Sequence, residues 1–283
     1  MTNLDAIIIG IVQGLTEFLP ISSSGHLVVV RYFYGVHNIS LNYIVLLHVG
    51  TLVAVCAALW RDIVSIIGKV VRREPDGLKI ATAILITMIP AGLVGFYFTG
   101  FLDRIFCENG YKFNNGMVLE PYKFVGAAFI ATAYFMIGPS DDIIKDRIKT
   151  GARGKGSEGL TYMNALVIGL FQALAVIPGI SRCGATIYAG LRAGLSREFA
   201  ARFSFLMSIP IILGAFLKDV MDPSFRIDWV YKPDQRGVML LGVAIAAVVG
   251  FFAIKLLLKI ITTRDLRPFV VYLWIIGLLC IAS

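Results

Sequence analysis

The stretch QGLTEFLPISSSGHL, residues 13–27, decides how this chain is read. It sets an amide, a carboxylate, three consecutive serines and an imidazole into sequence that is otherwise apolar. The apolar segment 4–19 has 16 residues, about 24 Å of helix at 1.5 Å per residue, which is short of a hydrocarbon core of roughly 30 Å. Gln13 and Glu17 stand four apart and share one helix face, and Pro20 ends the helix before Ser22, Ser23, Ser24, Gly25 and His26. A second short apolar segment, 26–34, closes at Gly35. The two predict a re-entrant hairpin, because a backbone break at membrane depth is tolerated only where it lines a cavity or is packed in protein.

Composition places the whole chain in the membrane. Of 283 residues, 58% are hydrophobic and 16% charged, with a mean hydropathy of +0.81, more apolar surface than a soluble core can use. The N-terminus carries Asp5 and no basic cluster, which predicts that the first segment is retained rather than cleaved. The net charge of +8 could suggest nucleic acid, but the Lys and Arg residues lie in short loops between apolar runs, so membrane lipid is the expected partner and nucleic acid is not. Cys56, Cys107, Cys183 and Cys280 form no CxxC pair and no metal-ligand spacing with the three histidines.

Full-length spans are predicted at 41–60, 78–98 and 121–138. A polar connector, 139–159, follows, and then an apolar segment, 160–177, broken at Pro178-Gly179 before Ser181, Arg182, Cys183 and Gly184. At an offset of 159 residues this second break matches the first: Gly10 with Gly169, Gln13 with Gln172, Leu15 with Leu174, Ser22 with Ser181, Gly25 with Gly184 and Gly35 with Gly194. Three more spans at 199–217, 238–258 and 268–281 complete the pattern. The expected fold is an all-α polytopic membrane protein in which repeat one (1–138) and repeat two (160–283) each hold one re-entrant hairpin and three transmembrane helices. An odd number of spans per half predicts an inverted-topology repeat whose hairpin tips meet near the midplane.

Chemistry concentrates at those tips. Glu17 is the only carboxylate between Asp5 and Asp62, and an intramembrane acid is expensive unless it is paired or functional. Arg182, in the matching tip, is its expected partner and carries a planar fork suited to phosphate oxygens. Ser22, Ser23, Ser24 and Gly25 precede one half-helix, and Ser181 and Gly184 the other, so both tips offer backbone N–H groups, hydroxyls and a positive dipole end to an anion. A serine there can equally be only a helix cap. Ser23 gains weight from His26, three residues on, which can act as its base or as a nucleophile itself. His37 is expected in a solvated loop, and His48 can be either a core histidine or a cavity residue. Gln13 and Gln172 are expected to orient neighbours or bind ligand oxygens, since amides do not titrate.

QGLTEFLPISSSGH and, in the second half, PGISRCGATI resemble the two signature segments of the undecaprenyl-pyrophosphate phosphatase family of the bacitracin-resistance type, integral membrane enzymes of bacterial cell-wall lipid recycling. The resemblance covers nearly the whole chain in length and segment order. It implies hydrolysis of the terminal phosphate of undecaprenyl pyrophosphate with a divalent cation, Mg2+ or Ca2+, for which Glu17 is the expected ligand. It further implies that Glu17, Ser23, His26 and Arg182 are catalytic or phosphate-binding, with Ser181 and Thr186 in support. This chain departs from the family pattern in carrying Gln13 in place of a second glutamate and Cys183 where serine is common. A lipid-phosphate transporter or flippase is the rival reading, since broken helices in inverted repeats also build carriers. The histidine that follows Ser-Arg in type-2 phosphatidic acid phosphatases is missing, with Tyr188 in that neighbourhood. A homodimer is admitted but not required.

Of the 26 Lys and Arg residues, 17 fall on the side holding the loops after the first, third and fifth spans and the start of the fourth, and eight on the side of both termini. The basic excess predicts a multi-pass protein of the bacterial inner membrane whose first hairpin, and so its active site, opens to the outer, periplasmic face.

Overall fold

The computed structural model describes residues 1–35, 41–105, 111–112, 118–119, 121–137, 154–221, 235–263 and 266–283. Its helices are α1 (Asn3–Phe18), α2 (Ser23–Phe33), α3 (Leu41–Ala58), α4 (Trp60–Val71), α5 (Pro75–Ile105), α6 (Pro121–Ile137), α7 (Tyr162–Leu174), α8 (Arg182–Arg192), α9 (Arg197–Met221), α10 (Arg236–Thr263) and α11 (Arg267–Ala282). Between α5 and α6, β1 (Tyr111–Lys112) and β2 (Val118–Leu119) pair antiparallel, a small ribbon that the all-helical expectation did not contain. The fold is that of an all-α polytopic membrane protein.

The helix starts repeat with the sequence. Thr2 caps α1 through the Asp5 N–H at 3.1 Å, and Thr161 caps α7 through the Asn164 N–H at 3.1 Å. Ser22 caps α2 through the Gly25 N–H at 3.4 Å, and Ser181 caps α8 through the Gly184 N–H at 3.1 Å. Each cap stands 159 residues from its counterpart. In the packing, α1 lies along α10 and α7 along α5, while α6 packs against α11.

Small residues set these approaches, as they do where helices meet in lipid. A Cβ on Gly10 of α1 would stand 2.6 Å from the Gly242 carbonyl oxygen of α10, and one on the matching Gly169 of α7 would stand 2.8 Å from the Thr87 carbonyl oxygen of α5. At the α6–α11 crossing, Gly126 and Gly277 face each other, and a Cβ on either would meet the other's carbonyl oxygen at 2.8 Å.

The spans follow the expected segments except at the first. By length and composition, Pro75–Tyr97, Arg197–Lys218 and Arg236–Thr263 can each cross a bilayer. The span expected at 41–60 instead breaks at Leu59, and α4 leaves α3 at 74°. α6 and α11, with 17 and 16 residues, are about 26 and 24 Å long, at the short end of what a crossing needs. α7 ends at Leu174, three residues before the expected break, and turns at 175–180 lead into α8.

Most of the polar connector and His37 lie outside the described residues, but the connector's end is tied down. The Lys155 N–H donates to the Gly194 carbonyl and the Ser196 N–H to the Lys155 carbonyl, while Lys79 Nζ donates to the carbonyls of Ser157 and Glu158. Arg202 of α9 pairs with Asp62 of α4 at 2.7 Å. The start of α5, α4, the end of α8 and the start of α9 therefore share one end of the molecule. Cys56, Cys183 and Cys280 are free thiols, and Cys107 is not among the described residues.

Candidate active site

The first tip is unusual from its backbone outward. Pro20 cannot continue α1, and Ser22 takes φ 70°, a region that side chains other than glycine rarely adopt. The tip rests on α6: a Cβ on Gly25 would stand 2.5 Å from the Phe129 ring and 3.0 Å from the Cα of Gly179 in the second tip. The second tip is braced by the same helix. Thr132 donates through its hydroxyl to the Gly179 carbonyl at 3.1 Å and accepts from the Ser181 N–H at 3.2 Å. Gly179 itself has φ 96°, with its Cα side against Ala128 and Val125, so no larger residue fits that turn.

Between the tips lies a cavity of about 350 Å³. Thr16, Glu17, Ser22, Ser23 and Ser24 form one wall, Ser181 and Arg182 face them, and α3 and α9 close it with Ile44, Val45, His48, Ile211, Ile212 and Phe216. Glu17 is the centre of its polar network. Its Oε2 accepts from the Ser23 hydroxyl at 2.5 Å and from Gln13 Nε2 at 3.1 Å, and its Oε1 accepts from Arg182 Nη2 at 2.6 Å. The carboxylate and the guanidinium come from the two different tips. Both are largely removed from solvent, so each neutralises a charge that would be costly alone.

Other sequence candidates go elsewhere. His26 is buried, with Nδ1 2.7 Å from the Ser22 carbonyl oxygen and Nε2 2.6 Å from the Tyr272 hydroxyl, and it is not on the cavity wall. The Ser23 hydroxyl donates to Glu17. Gln172 donates to the Thr87 carbonyl at 3.1 Å, one turn before Pro90 in α5, and Thr186 bonds within α8 and to Ser204 at 2.7 Å. Gly25 and Gly184 supply close approach and capped N–H groups rather than cavity wall.

The histidine that does face Glu17 is His48, with Nε2 3.6 Å from Oε2 and Nδ1 donating to the Ile44 carbonyl at 2.8 Å. Its place in the cavity was one of two sequence readings. Thr132 and Tyr272 gave no signal beyond being polar residues in apolar helices.

A family profile described as "Bacitracin resistance protein BacA" matches residues 6–279. This chain belongs to the BacA family. Curated relatives named undecaprenyl-diphosphatase include those of Pelotomaculum thermopropionicum, 36% identical over 279 residues (98% of this chain and 95% of that protein), and Halothermothrix orenii, 36% over 285 residues (99% and 98%). That of Methanobrevibacter smithii is 35% identical over 293 residues (99% and 96%).

For a BacA-family chain the resemblance implies a divalent cation, and the donor set can be tested against it. Among the described residues no three His, Cys, Asp or Glu side chains gather as a cage. Glu17 is a single carboxylate whose two oxygens already accept from Arg182, Ser23 and Gln13, with a guanidinium at 2.6 Å. Gln13 Oε1 is a buried oxygen without a partner, but one amide oxygen beside an occupied carboxylate falls short of the oxygen shell that Mg2+ or Ca2+ requires. Among the described residues this donor set does not fit a resident cation.

Proposed function

We propose that this chain is an undecaprenyl-diphosphatase that removes the terminal phosphate of undecaprenyl pyrophosphate in the cavity between the tips, leaving undecaprenyl phosphate and inorganic phosphate. The observation that carries the reading is the Ser23–Glu17–Arg182 line, a hydroxyl donating to a carboxylate whose other oxygen holds a guanidinium from the opposite tip. A carrier needs an anion site but no hydroxyl aligned with a base; this alignment favours the enzyme.

Glu17 takes the Ser23 proton as Oγ bonds to the terminal phosphorus, and the bond from that phosphorus to undecaprenyl phosphate breaks. Water then attacks the phosphoserine, and Glu17 returns the proton to Oγ as inorganic phosphate leaves. The remaining N–H groups of Arg182, the Ser24 hydroxyl and the N-terminal amides of α2 and α8 stabilise charge on the phosphoryl oxygens, the main demand in phosphoryl transfer. The apolar wall from Ile44, Val45, Ile211, Ile212 and Phe216 suits the prenyl chain. A divalent cation, if one takes part, would be held by the pyrophosphate oxygens together with Glu17, the one carboxylate that lines the cavity among the described residues. Phosphate release from undecaprenyl pyrophosphate by purified protein in detergent, abolished in Ser23→Ala, tests the reading. No release, with movement of lipid phosphate across vesicles instead, would favour the carrier.

The halves are further proposed to be inverted in a bacterial inner membrane, the first hairpin opening outward; the α1–α10 and α7–α5 pairs and the shared end of basic segments support this. Single cysteines in a cysteine-free background decide it. At Asn38 and Lys232 they react with an impermeant thiol reagent in intact cells, and at Lys155 only after permeabilisation; the opposite pattern overturns the orientation.

A further inference from the structure

His26 has both ring nitrogens engaged by protein partners and does not line the cavity. A carbonyl oxygen only accepts, so the 2.7 Å contact to Ser22 requires the proton on Nδ1. In the neutral ring Nε2 is then an acceptor, and the Tyr272 hydroxyl, 2.6 Å away, donates to it. The two rings stack at 5.6 Å and 9°, and Phe129 closes on the imidazole from another side at 5.0 Å. Tyr272 belongs to α11 and lies 246 residues from His26.

The Ser22 carbonyl accepts twice from His26, once from the ring and once from the backbone N–H at 3.2 Å. That carbonyl shares a rigid peptide plane with the N–H of Ser23. Ser22 is also the residue held at φ 70°, a conformation that persists only where surroundings over-determine it. The imidazole is thus the strut that fixes the plane from which the Ser23 side chain departs.

We propose that Tyr272 is a positioning residue of the phosphatase site: by donating to His26 it locks the Nδ1–H tautomer that holds the Ser22–Ser23 peptide, and thereby aims the Ser23 hydroxyl at Glu17 and the phosphorus. His26 is a strut and exchanges no proton with substrate. The inference rests on the reading that Ser23 is the nucleophile.

Asparagine at position 26 tests it, because its amide nitrogen falls where Nδ1 stood and keeps the bond to the Ser22 carbonyl, while no ring nitrogen remains for proton transfer. His26→Asn is expected to keep kcat within about 10-fold of the native enzyme, whereas His26→Leu loses about 100-fold, the scale on which a misaimed nucleophile slows. Tyr272→Phe lowers kcat by about 10-fold with KM unchanged, and adds nothing in the His26→Asn background, since asparagine does not reach Tyr272. An Asn variant as slow as the Leu variant, or a Tyr272→Phe enzyme with native kcat, overturns the proposal. Were Tyr272→Phe to misfold, the comparison of Asn with Leu at position 26 still decides the strut. Full activity of Ser23→Ala would sink the underlying reading; an inactive Ser23→Ala with an inactive His26→Asn sinks only this inference.

Discussion

Replacing Glu17 with glutamine keeps the shape of the side chain and removes its charge. The native carboxylate accepts from three donors: the Ser23 hydroxyl at 2.5 Å, Arg182 Nη2 at 2.6 Å and Gln13 Nε2 at 3.1 Å. An amide has one acceptor oxygen, and its NH2 group must then face at least one of those donors. Removing one partner of a buried ion pair costs about 3–5 kcal/mol; with the Arg182 side chain 18% exposed, water can reach it and we expect the lower end, about 3 kcal/mol. Such a loss lowers the melting temperature by several degrees. Turnover falls further, because a lost general base slows proton transfer by about 10²–10⁴-fold. Phosphate release at saturating undecaprenyl pyrophosphate, run beside thermal melting in the same detergent, reads both. Glu17→Asp separates them: it keeps the charge and most of the stability, yet withdraws the carboxylate by about 1.5 Å and still slows turnover by about 100-fold. Native kcat in the glutamine variant would remove Glu17 from the chemistry, and an aspartate variant as unstable as the glutamine one would break the ion-pair argument.

Arg182→Lys keeps the cation but loses the fork, and kcat should drop by about 10²–10³ while the protein still purifies and melts near the native temperature; undiminished turnover would end the phosphate-clamp role. Calorimetry of substrate-free protein with Mg2+ or Ca2+ should show no tight binding, and a submicromolar site would contradict the donor argument at Glu17. Gly25→Ala drives a methyl into Phe129, and such overpacking costs about 1–3 kcal/mol; Phe129→Leu in the same chain should restore part of the melting temperature, whereas a neutral Gly25→Ala would mean that the first tip does not rest on Phe129.

Much of this architecture is legible in the sequence because membrane depth makes polar residues informative. Glu17 and Arg182 stood out for being charged among apolar neighbours, and the 159-residue offset tied their tips together. The break after Ala58 was not legible, since Ala-Leu-Trp carries neither proline nor glycine and the turn of α4 is set by packing, including the Asp62–Arg202 pair. His48 left two readings because its nearness to Glu17 depends on how α3 sits beside α1, which helical periodicity does not encode. Local spacing drew His26 toward Ser23, three residues away, but the partner that fixes its ring comes from α11. Gln172 matched Gln13 in sequence, yet its amide donates to the Thr87 carbonyl, a partner that another helix supplies.

The 165-residue separation of Glu17 and Arg182 also bears on how the protein is made. A ribosome delivers the first tip long before the second, so for most of synthesis the carboxylate has no guanidinium to meet. An unpartnered acid at that depth is costly, and the nascent first half must keep Glu17 hydrated, protonated or shielded by the insertion machinery until α8 arrives. Completion of the ion pair then acts as a late latch on assembly. Chains truncated before residue 182 should be held back by membrane quality-control proteases, while a separately translated second half should rescue them.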